Sequence, residues 1–559
     1  MSQTISPLAG KPAPKSILTD IKALIAAYHD RKPDPLAPQE RVSFGTSGHR
    51  GTSVNGSFNE HHVLAITQAI CDFRRKEGIT GPLFLGIDTH ALSAPAAGTA
   101  EQVLAANGVE LRIAAPGEYT PTPVISHAIL THNRGRRDGL ADGIVMTPSH
   151  NPPGDGGYKY NPTHGGPADS AVTGWIGARA NAYLERRLDG VRRMTATAAA
   201  GAATTRRHDF MTPYVADLGD VVDFDAIRGS GIRMAVDPLG GAGVHYWPRI
   251  AERYRLDLTL LSDAVDPQFA FMAVDWDGQI RMDPSSPHAM APLVAQKDRF
   301  DVSFACDTDH DRHGVIAASC GLMPSNHYLS VLADYLLAHR PGWPRGAMLG
   351  KTVVTTAMLD RIAAKAGRAV YEVPVGFKWF AQGLHDGRLV FGCEESAGAS
   401  ALRRDGTVWT TDKDGIVPAL LSGEVMARSG RDPGELYAAL ETGFGAIHAD
   451  RVEAAANPDQ KRALAALAPE ALSISDLAGE PVGRVISRAP GNAEPIGGIK
   501  ASSAGGWFAA RPSGTEDIYK IYAESFRSRD HLARLLAEAQ DIVDHALAGA
   551  ARSADKAGA

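Results

Sequence analysis

At 559 residues the chain exceeds what one hydrophobic core supports and implies about three to five domains. Apolar residues at 44% and charged residues at 21% are ordinary globular values, which excludes wholesale disorder and a membrane-embedded chain. A net charge of -6 leaves no basic excess to neutralise nucleic-acid phosphates. Cys71, Cys306, Cys320 and Cys393 show neither CxxC nor zinc spacing and fit reduced thiols, and no segment has the apolar run of a membrane span or signal. A cytoplasmic protein with no membrane or nucleic-acid partner is expected.

Residues 1–40 are rich in proline and alanine, hold one amphipathic candidate helix at Ile17–Tyr28, and read as an N-terminal extension. Phe44-Gly45-Thr46-Ser47-Gly48-His49-Arg50-Gly51 follows, with small residues around an arginine that suit an anion loop. From Leu83 the rhythm is α/β: strand Leu83–Ile87, helix Ala94–Asn107, strand Val109–Ile113, strand Ile144–Met146, helix Ala168–Leu184. At the end of the last strand stands Thr147-Pro148-Ser149-His150-Asn151-Pro152-Pro153. Its prolines favour extended backbone around Ser149 and hold the hydroxyl out at a strand end. The glycines of Gly154–Gly157 admit a ligand to the backbone, and Lys159 can pair with an anion. Arg187–Arg206 loses periodicity and reads as an inter-domain link.

A second unit repeats the pattern with strand Ile232–Val236, a glycine turn at Asp237–Gly243 and helix Tyr246–Tyr254. It closes on strand Phe300–Ala305 and the loop Asp307-Thr308-Asp309-His310-Asp311-Arg312. Carboxylates at i, i+2 and i+4 of an extended loop project to one side and suit a hard divalent cation. An EF-hand is excluded, because its glycine position would be Arg312 and its final glutamate Ala318. Mg²⁺ completed by a phosphoryl oxygen is the better account.

The third unit brings helix Tyr328–His339, strand Thr352–Thr356, helix Ala357–Gly367, strand Ala369–Val373 and strand Leu389–Phe391. Gly346–Thr352 fails as a Walker A loop on spacing, and Glu394-Glu395-Ser396-Ala397-Gly398 lacks the leading glycine of a hydrolase elbow. Glu394 and Ser396 can instead bond vicinal sugar hydroxyls. The last unit carries helices Pro458–Leu467 and Arg529–Leu547 among short strands, which reads as α+β. Its Arg511-Pro512-Ser513-Gly514-Thr515 joins a guanidinium, two hydroxyls and open backbone N–H groups that can hold a dianion without metal.

The Ser149, Asp307–Asp311, Glu394–Gly398 and Arg511–Thr515 motifs together resemble the alpha-D-phosphohexomutases, and within them the bacterial phosphoglucomutases. The resemblance implies an α/β fold of four domains around a central cleft, three similar mixed-sheet domains followed by a C-terminal α+β domain. The domains would span 1–205, 206–321, 322–443 and 444–559. It implies that Ser149 carries a phosphoryl group, with Mg²⁺ on Ser149, Asp307, Asp309 and Asp311 and glucose 1,6-bisphosphate as activator and intermediate. Arg50, Arg312, Lys159 and Lys413 (in Thr411-Asp412-Lys413-Asp414-Gly415) would serve catalysis. Gly376, Phe377 and Lys378 would select the sugar, Glu394 and Ser396 its hydroxyls, and Arg511, Ser513, Gly514 and Thr515 the idle phosphate. Small hexose phosphates are the expected ligands, and a monomer or homodimer is the expected assembly. Mutases for mannose or N-acetylglucosamine phosphates, a metal-dependent phosphatase and a non-catalytic sugar-phosphate sensor remain as alternatives. Thr308 and His310 stand where the family often has glycine.

Overall fold

The computed structural model describes residues 5–45, 48–472, 474–513 and 518–557. In the first unit Leu83–Ile87, Leu111–Ile113 and Asp142–Met146 pair in parallel, and every residue of Asp142–Met146 is buried. Apolar runs without alternation are what a sheet covered on both faces requires. Asp155–Asn161, Gly48–Thr52 and Phe44–Gly45 extend this sheet antiparallel on one side, and Thr205–Arg207 extends it in parallel on the other, making seven strands.

Several expectations are corrected here. Gly48–Thr52 and the Gly156–Gly157 stretch are strand, because their glycines fit where a side chain could not. A Cβ on Gly156 would lie 2.5 Å from the Phe58 ring, and one on Gly157 would lie 2.1 Å from the Thr147 carbonyl oxygen. Arg187–Arg206 is not a bare link, since it holds the helix Ala196–Ala200 and leads into the edge strand Thr205–Arg207. Residues 5–40 are not a loose extension. The helix Ile21–Asp30 buries Leu24 and Tyr28 in the first core, while the Ser6 and Gly10 N–H groups bond Trp276 and Val274 carbonyls of the second unit.

The second sheet runs Gly321–Leu322, His313–Ala317, Val302–Cys306, Met234–Asp237, Leu258–Leu260. The third runs Val370–Val373, Met348–Thr352, Leu389–Glu394, Gly398–Ala401. Its central strand is Met348–Thr352 where Thr352–Thr356 was expected. Beyond it the Thr355 N–H turns back on the Thr352 carbonyl at 3.0 Å, and β-branched residues here serve a buried turn. The fourth sheet has six antiparallel strands in the order His448–Ala455, Ile518–Ser525, Gly506–Pro512, Pro495–Ser503, Glu480–Arg488, Asp476–Leu477.

One apolar core runs through the first three units, from Ile125 through Trp247 and Phe304 to Phe391 and Trp409. The fourth unit has its own core around Phe508, Ile521 and Leu535, joined to the third through Val353, Val354, Ile496 and Trp507. The loops of the first three units are thus fixed relative to one another by shared packing. Among the described residues no helix is long and apolar enough to cross a membrane.

Candidate active site

The three α/β units place their chemistry at one equivalent point. In each, a buried parallel strand turns into an antiparallel neighbour: Asp142–Met146 into Asp155–Asn161, Val302–Cys306 into His313–Ala317, and Leu389–Glu394 into Gly398–Ala401. These turns hold Ser149, the aspartates and the Glu394–Gly398 loop. Each contains one non-glycine residue at positive φ, Ser149 at 60°, His310 at 57° and Ala397 at 67°. Ser149 is therefore left-handed where the flanking prolines suggested extended backbone. The Thr147 hydroxyl holds it there by accepting the Ser149 N–H at 2.9 Å.

Ser149 donates its hydroxyl to Asp307 Oδ2 at 2.8 Å. The other Asp307 oxygen accepts the Asp311 and Arg312 N–H groups at 3.0 Å each, which folds the loop around its first carboxylate. Asp307, Asp309 and Asp311 are all buried and offer oxygens within 4.8 Å of one another. Burial first, then Asp311 and Asp309, push the Asp307 carboxyl well above its ordinary range. Burial pushes Asp311 up as well, but Lys159, Lys413 and Arg312 outweigh it and hold this carboxyl well below its usual value. Asp309 Oδ1 and Asp311 Oδ1 are buried with no hydrogen-bond partner. Three carboxylates, two of them with an orphaned oxygen, and a hydroxyl are a donor set that fits a hard divalent cation.

Lys159 projects from the strand Asp155–Asn161 and donates to Asp309 at 2.6 Å and Asp311 at 2.9 Å. Lys413 lies 3.1 Å from the same Asp311 oxygen. Burial alone would strip both ammonium groups, yet the aspartates raise both above the ordinary lysine value. Arg50 bonds Asn151 Oδ1 at 3.2 Å, and Arg312 bridges backbone to backbone with Gly398, tying the acidic loop to the third unit. His310, at a family glycine position, is not a ligand. Its Nε2 accepts the Trp247 indole N–H at 3.1 Å against Gly243, and burial pulls it down to about 4.

Glu394 ends its strand buried and accepts the Gly376 N–H at 2.8 Å, while Ser396 sits half-buried in the turn beyond. Phe377 is buried with its ring 5.7 Å from Lys413 Nζ, so it packs beneath the lysine. Lys378 reaches across to Ser170 Oγ of the first unit at 2.7 Å. Arg511 ends the strand Gly506–Pro512 and Ser513 follows, its N–H bonded to Ile518 O at 2.8 Å. Burial, then Glu395 of the third unit, raise the Tyr522 pKa, while Arg451 and Arg511 of the fourth oppose them. Gly514 and Thr515 lie outside the described residues, as do Thr46 and Ser47 of the Arg50 stretch.

Sequence reasoning missed several contributors. Thr122 donates its hydroxyl to Asp309 Oδ2, and its N–H bonds the Asp309 carbonyl at 2.9 Å. Asn161 holds Asp412 Oδ2 at 2.8 Å beside Lys413. Asp88 and His90 support the Ser149 turn from behind. Their signal was positional: Asp88 follows a buried strand and Thr122 opens a helix after Thr120-Pro121, places where α/β sheets gather ligands.

Models of the phosphoglucomutase/phosphomannomutase family match in order: alpha/beta/alpha domain I over 41–187, domain II over 212–320, domain III over 324–444 and the C-terminal domain over 451–542. A phosphoglucomutase from Komagataeibacter xylinus is 56% identical over 549 residues, covering 98% of this chain and 99% of the relative. The solved exocytosis-sensitive phosphoprotein pp63/parafusin of Paramecium, a phosphoglucomutase in its open form, superposes with a TM-score of 0.71 at 20% identity over 93% of this chain and 96% of its own. A phosphoglucomutase/phosphomannomutase family protein from Burkholderia thailandensis gives 0.67 at 21% identity, covering 91% and 98%; both structures speak to the fold. The chain belongs to the phosphoglucomutase/phosphomannomutase family.

Proposed function

We propose that this protein is a phosphoglucomutase, an intramolecular phosphotransferase interconverting alpha-D-glucose 1-phosphate and glucose 6-phosphate through phospho-Ser149 and glucose 1,6-bisphosphate. The observation that carries this reading is the 2.8 Å bond from the Ser149 hydroxyl to Asp307, inside a buried ring of aspartates and lysines.

In this reading the free hydroxyl of the bound sugar phosphate attacks the phosphorus of phospho-Ser149. The new P–O bond forms as the bond to Ser149 Oγ breaks, and the bisphosphate turns over in the cleft to return its other phosphoryl group. Phosphate monoesters are so inert that charge neutralisation and positioning must supply most of the rate. Mg²⁺ on Asp307, Asp309, Asp311 and Ser149 would supply Lewis-acid charge. In this reading Lys159, Arg50 and Arg312 neutralise the transferring group and Lys413 exchanges a proton with the sugar hydroxyl, a role supported by its position between Asp311 and the Gly398 turn. Glu394 and Ser396 take the sugar hydroxyls, with Gly376, Phe377 and Lys378 shaping that side. Arg511, Ser513, Gly514 and Thr515 take the idle phosphate, and the fourth unit excludes water that would hydrolyse the phosphoserine.

The test supplies glucose 1-phosphate, Mg²⁺ and trace glucose 1,6-bisphosphate, and follows glucose 6-phosphate through a coupled dehydrogenase. Ser149→Ala abolishes the signal, and glucose 1-phosphate outpaces the mannose and N-acetylglucosamine 1-phosphates. Full activity in Ser149→Ala refutes the mechanism; a faster rate on another sugar reassigns the substrate.

A further inference from the structure

Behind the Ser149 turn lies a second ionisable pair that the transfer chemistry does not use. Asp88 follows the strand Leu83–Ile87, and both its side chain and that of His90 are at 0% exposure. Asp88 accepts four hydrogen bonds. On Oδ1 they come from the His90 N–H at 3.0 Å and the Ser93 hydroxyl at 2.5 Å. On Oδ2 they come from the Thr147 hydroxyl at 2.6 Å and His90 Nδ1 at 2.8 Å. Thr147 Oγ1 in turn accepts the Ser149 N–H at 2.9 Å, and His90 Nε2 meets the Asn151 carbonyl at 3.0 Å.

Counting donors assigns the charges. A carboxylate with four donors is ionised, and a backbone carbonyl only accepts. Both ring nitrogens of His90 therefore donate, which only the imidazolium can do. His62 shows the contrast: its Nδ1 accepts the Asn59 N–H at 3.0 Å, so that ring is neutral. Burial alone would also discharge His90, but Asp88, the Asn151 carbonyl and Asp155 together raise its pKa. Phe269 of the second unit covers the ring, with centroids 5.1 Å apart. Arg50 and Asp155 engage the Asn151 side chain at 3.2 and 3.0 Å, which leaves its carbonyl to His90.

We propose that the buried Asp88–His90 ion pair is a positioning device, gripping Thr147 and Asn151 on either side of Ser149 and holding the left-handed backbone that presents the serine oxygen to Asp307. In the proposed cycle the serine oxygen loses about two negative charges when phospho-Ser149 donates its group and regains them when the bisphosphate returns one. A turn free to shift with them would carry the phosphorus out of line with the attacking hydroxyl. The clamp keeps the two states superimposed.

The proposal rests on Ser149 as phosphoryl carrier, and the test separates the two. In the full-length enzyme labelled with ¹⁵N-histidine, long-range ¹H–¹⁵N spectra at about pH 8, where a free imidazole is neutral, show both His90 ring nitrogens protonated. The resonance is assigned by its loss in His90→Gln. A neutral ring overturns the proposal whatever Ser149 does, and the readout is taken on the wild-type enzyme, with His90→Asn confirming the assignment if His90→Gln folds poorly. His90→Gln, which keeps only the donor towards Asn151, and His90→Asn, which keeps only that towards Asp88, lower kcat roughly 10- to 100-fold. KM for glucose 1-phosphate stays within about twofold. Thr147→Val does the same and Thr147→Ser restores the rate. Wild-type kcat in both His90 variants beside an inactive Ser149→Ala refutes the clamp alone, whereas an active Ser149→Ala refutes the transfer reading itself.

Discussion

Gly398 and Lys413 share one volume: a Cβ on Gly398 would fall 2.2 Å from Lys413 Cδ and 3.0 Å from its Cγ. The glycine starts the antiparallel strand of the third unit, and the missing side chain is the channel through which the lysine stem reaches Asp311 at 3.1 Å. Gly398→Ala therefore displaces the ammonium without touching any charged group. The expected outcome is a kcat lower by roughly 10- to 100-fold, as for a small misplacement of a reacting group, with the melting temperature little changed. A coupled assay with a melting curve checks it, and unchanged kcat would show that the Lys413 ammonium has another route to its place.

Asp309 makes a separate prediction about metal. Its Oδ2 is taken by Thr122 and Lys159, while Oδ1 is buried and free for a cation. Removing divalent ions with a chelator abolishes turnover and Mg²⁺ restores it. A cation binding only the native state at a hundredfold excess over its Kd stabilises the fold by about 2.7 kcal/mol, which reads as a raised melting temperature. Asp309→Ala loses both the activity and the shift. If Mg²⁺ raised the melting point of this variant as it does the wild type, the cation would sit elsewhere.

The sequence made the α/β order and most of the site legible, because buried strands announce themselves as apolar runs and each motif follows one. Leu83–Ile87 and Tyr246–Tyr254 are found at the residues expected. Glycine-bearing strands were misread, since Gly48, Gly156 and Gly157 are set by neighbours distant in sequence, such as Phe58 against Gly156. Pro148 beside Ser149 suggested extended backbone, but one hydroxyl from Thr147 outweighs that local preference. Thr122 and Asn161 escaped notice because a lone threonine or asparagine joins a candidate site only when the fold brings a carboxylate to it, here Asp309 and Asp412.

Glu424 tests what binds the second and third units. Its fully buried carboxylate meets Arg340 at 2.8 and 3.0 Å, the Tyr335 hydroxyl at 2.8 Å and the Asp223 N–H at 2.8 Å. None of these partners belongs to the site loops. Glu424→Ala strands a buried guanidinium and is expected to cost about 3–5 kcal/mol, seen as a lower denaturant midpoint with kcat of the folded fraction unchanged. Combining Glu424→Leu with Arg340→Met recovers most of the loss, because the pair is costly to break and cheap to replace by apolar packing.

His62 predicts how stability falls in acid. It closes the capping box of the helix Glu60–Glu77, accepting the Asn59 N–H on Nδ1 and donating from Nε2 to the Glu40 carbonyl at 2.8 Å. Burial, only partly opposed by that carbonyl, pulls its pKa from 6.5 down to about 4. Between those values the unfolded chain takes up a proton that the native state refuses. The stability His62 contributes is complete above about pH 6.5, the value of a free imidazole, and is lost as pH falls towards the native value. One such group gives a slope of about 1.4 kcal/mol per pH unit across the window. Buried His49, pulled down to about 3 by burial and by His62 beside it, adds a second proton to the same acid loss. Urea midpoints measured at about pH 7 and about pH 5 should show His62→Gln flattening the wild-type slope by one proton; an unchanged slope would mean that the native state already accommodates the charged ring.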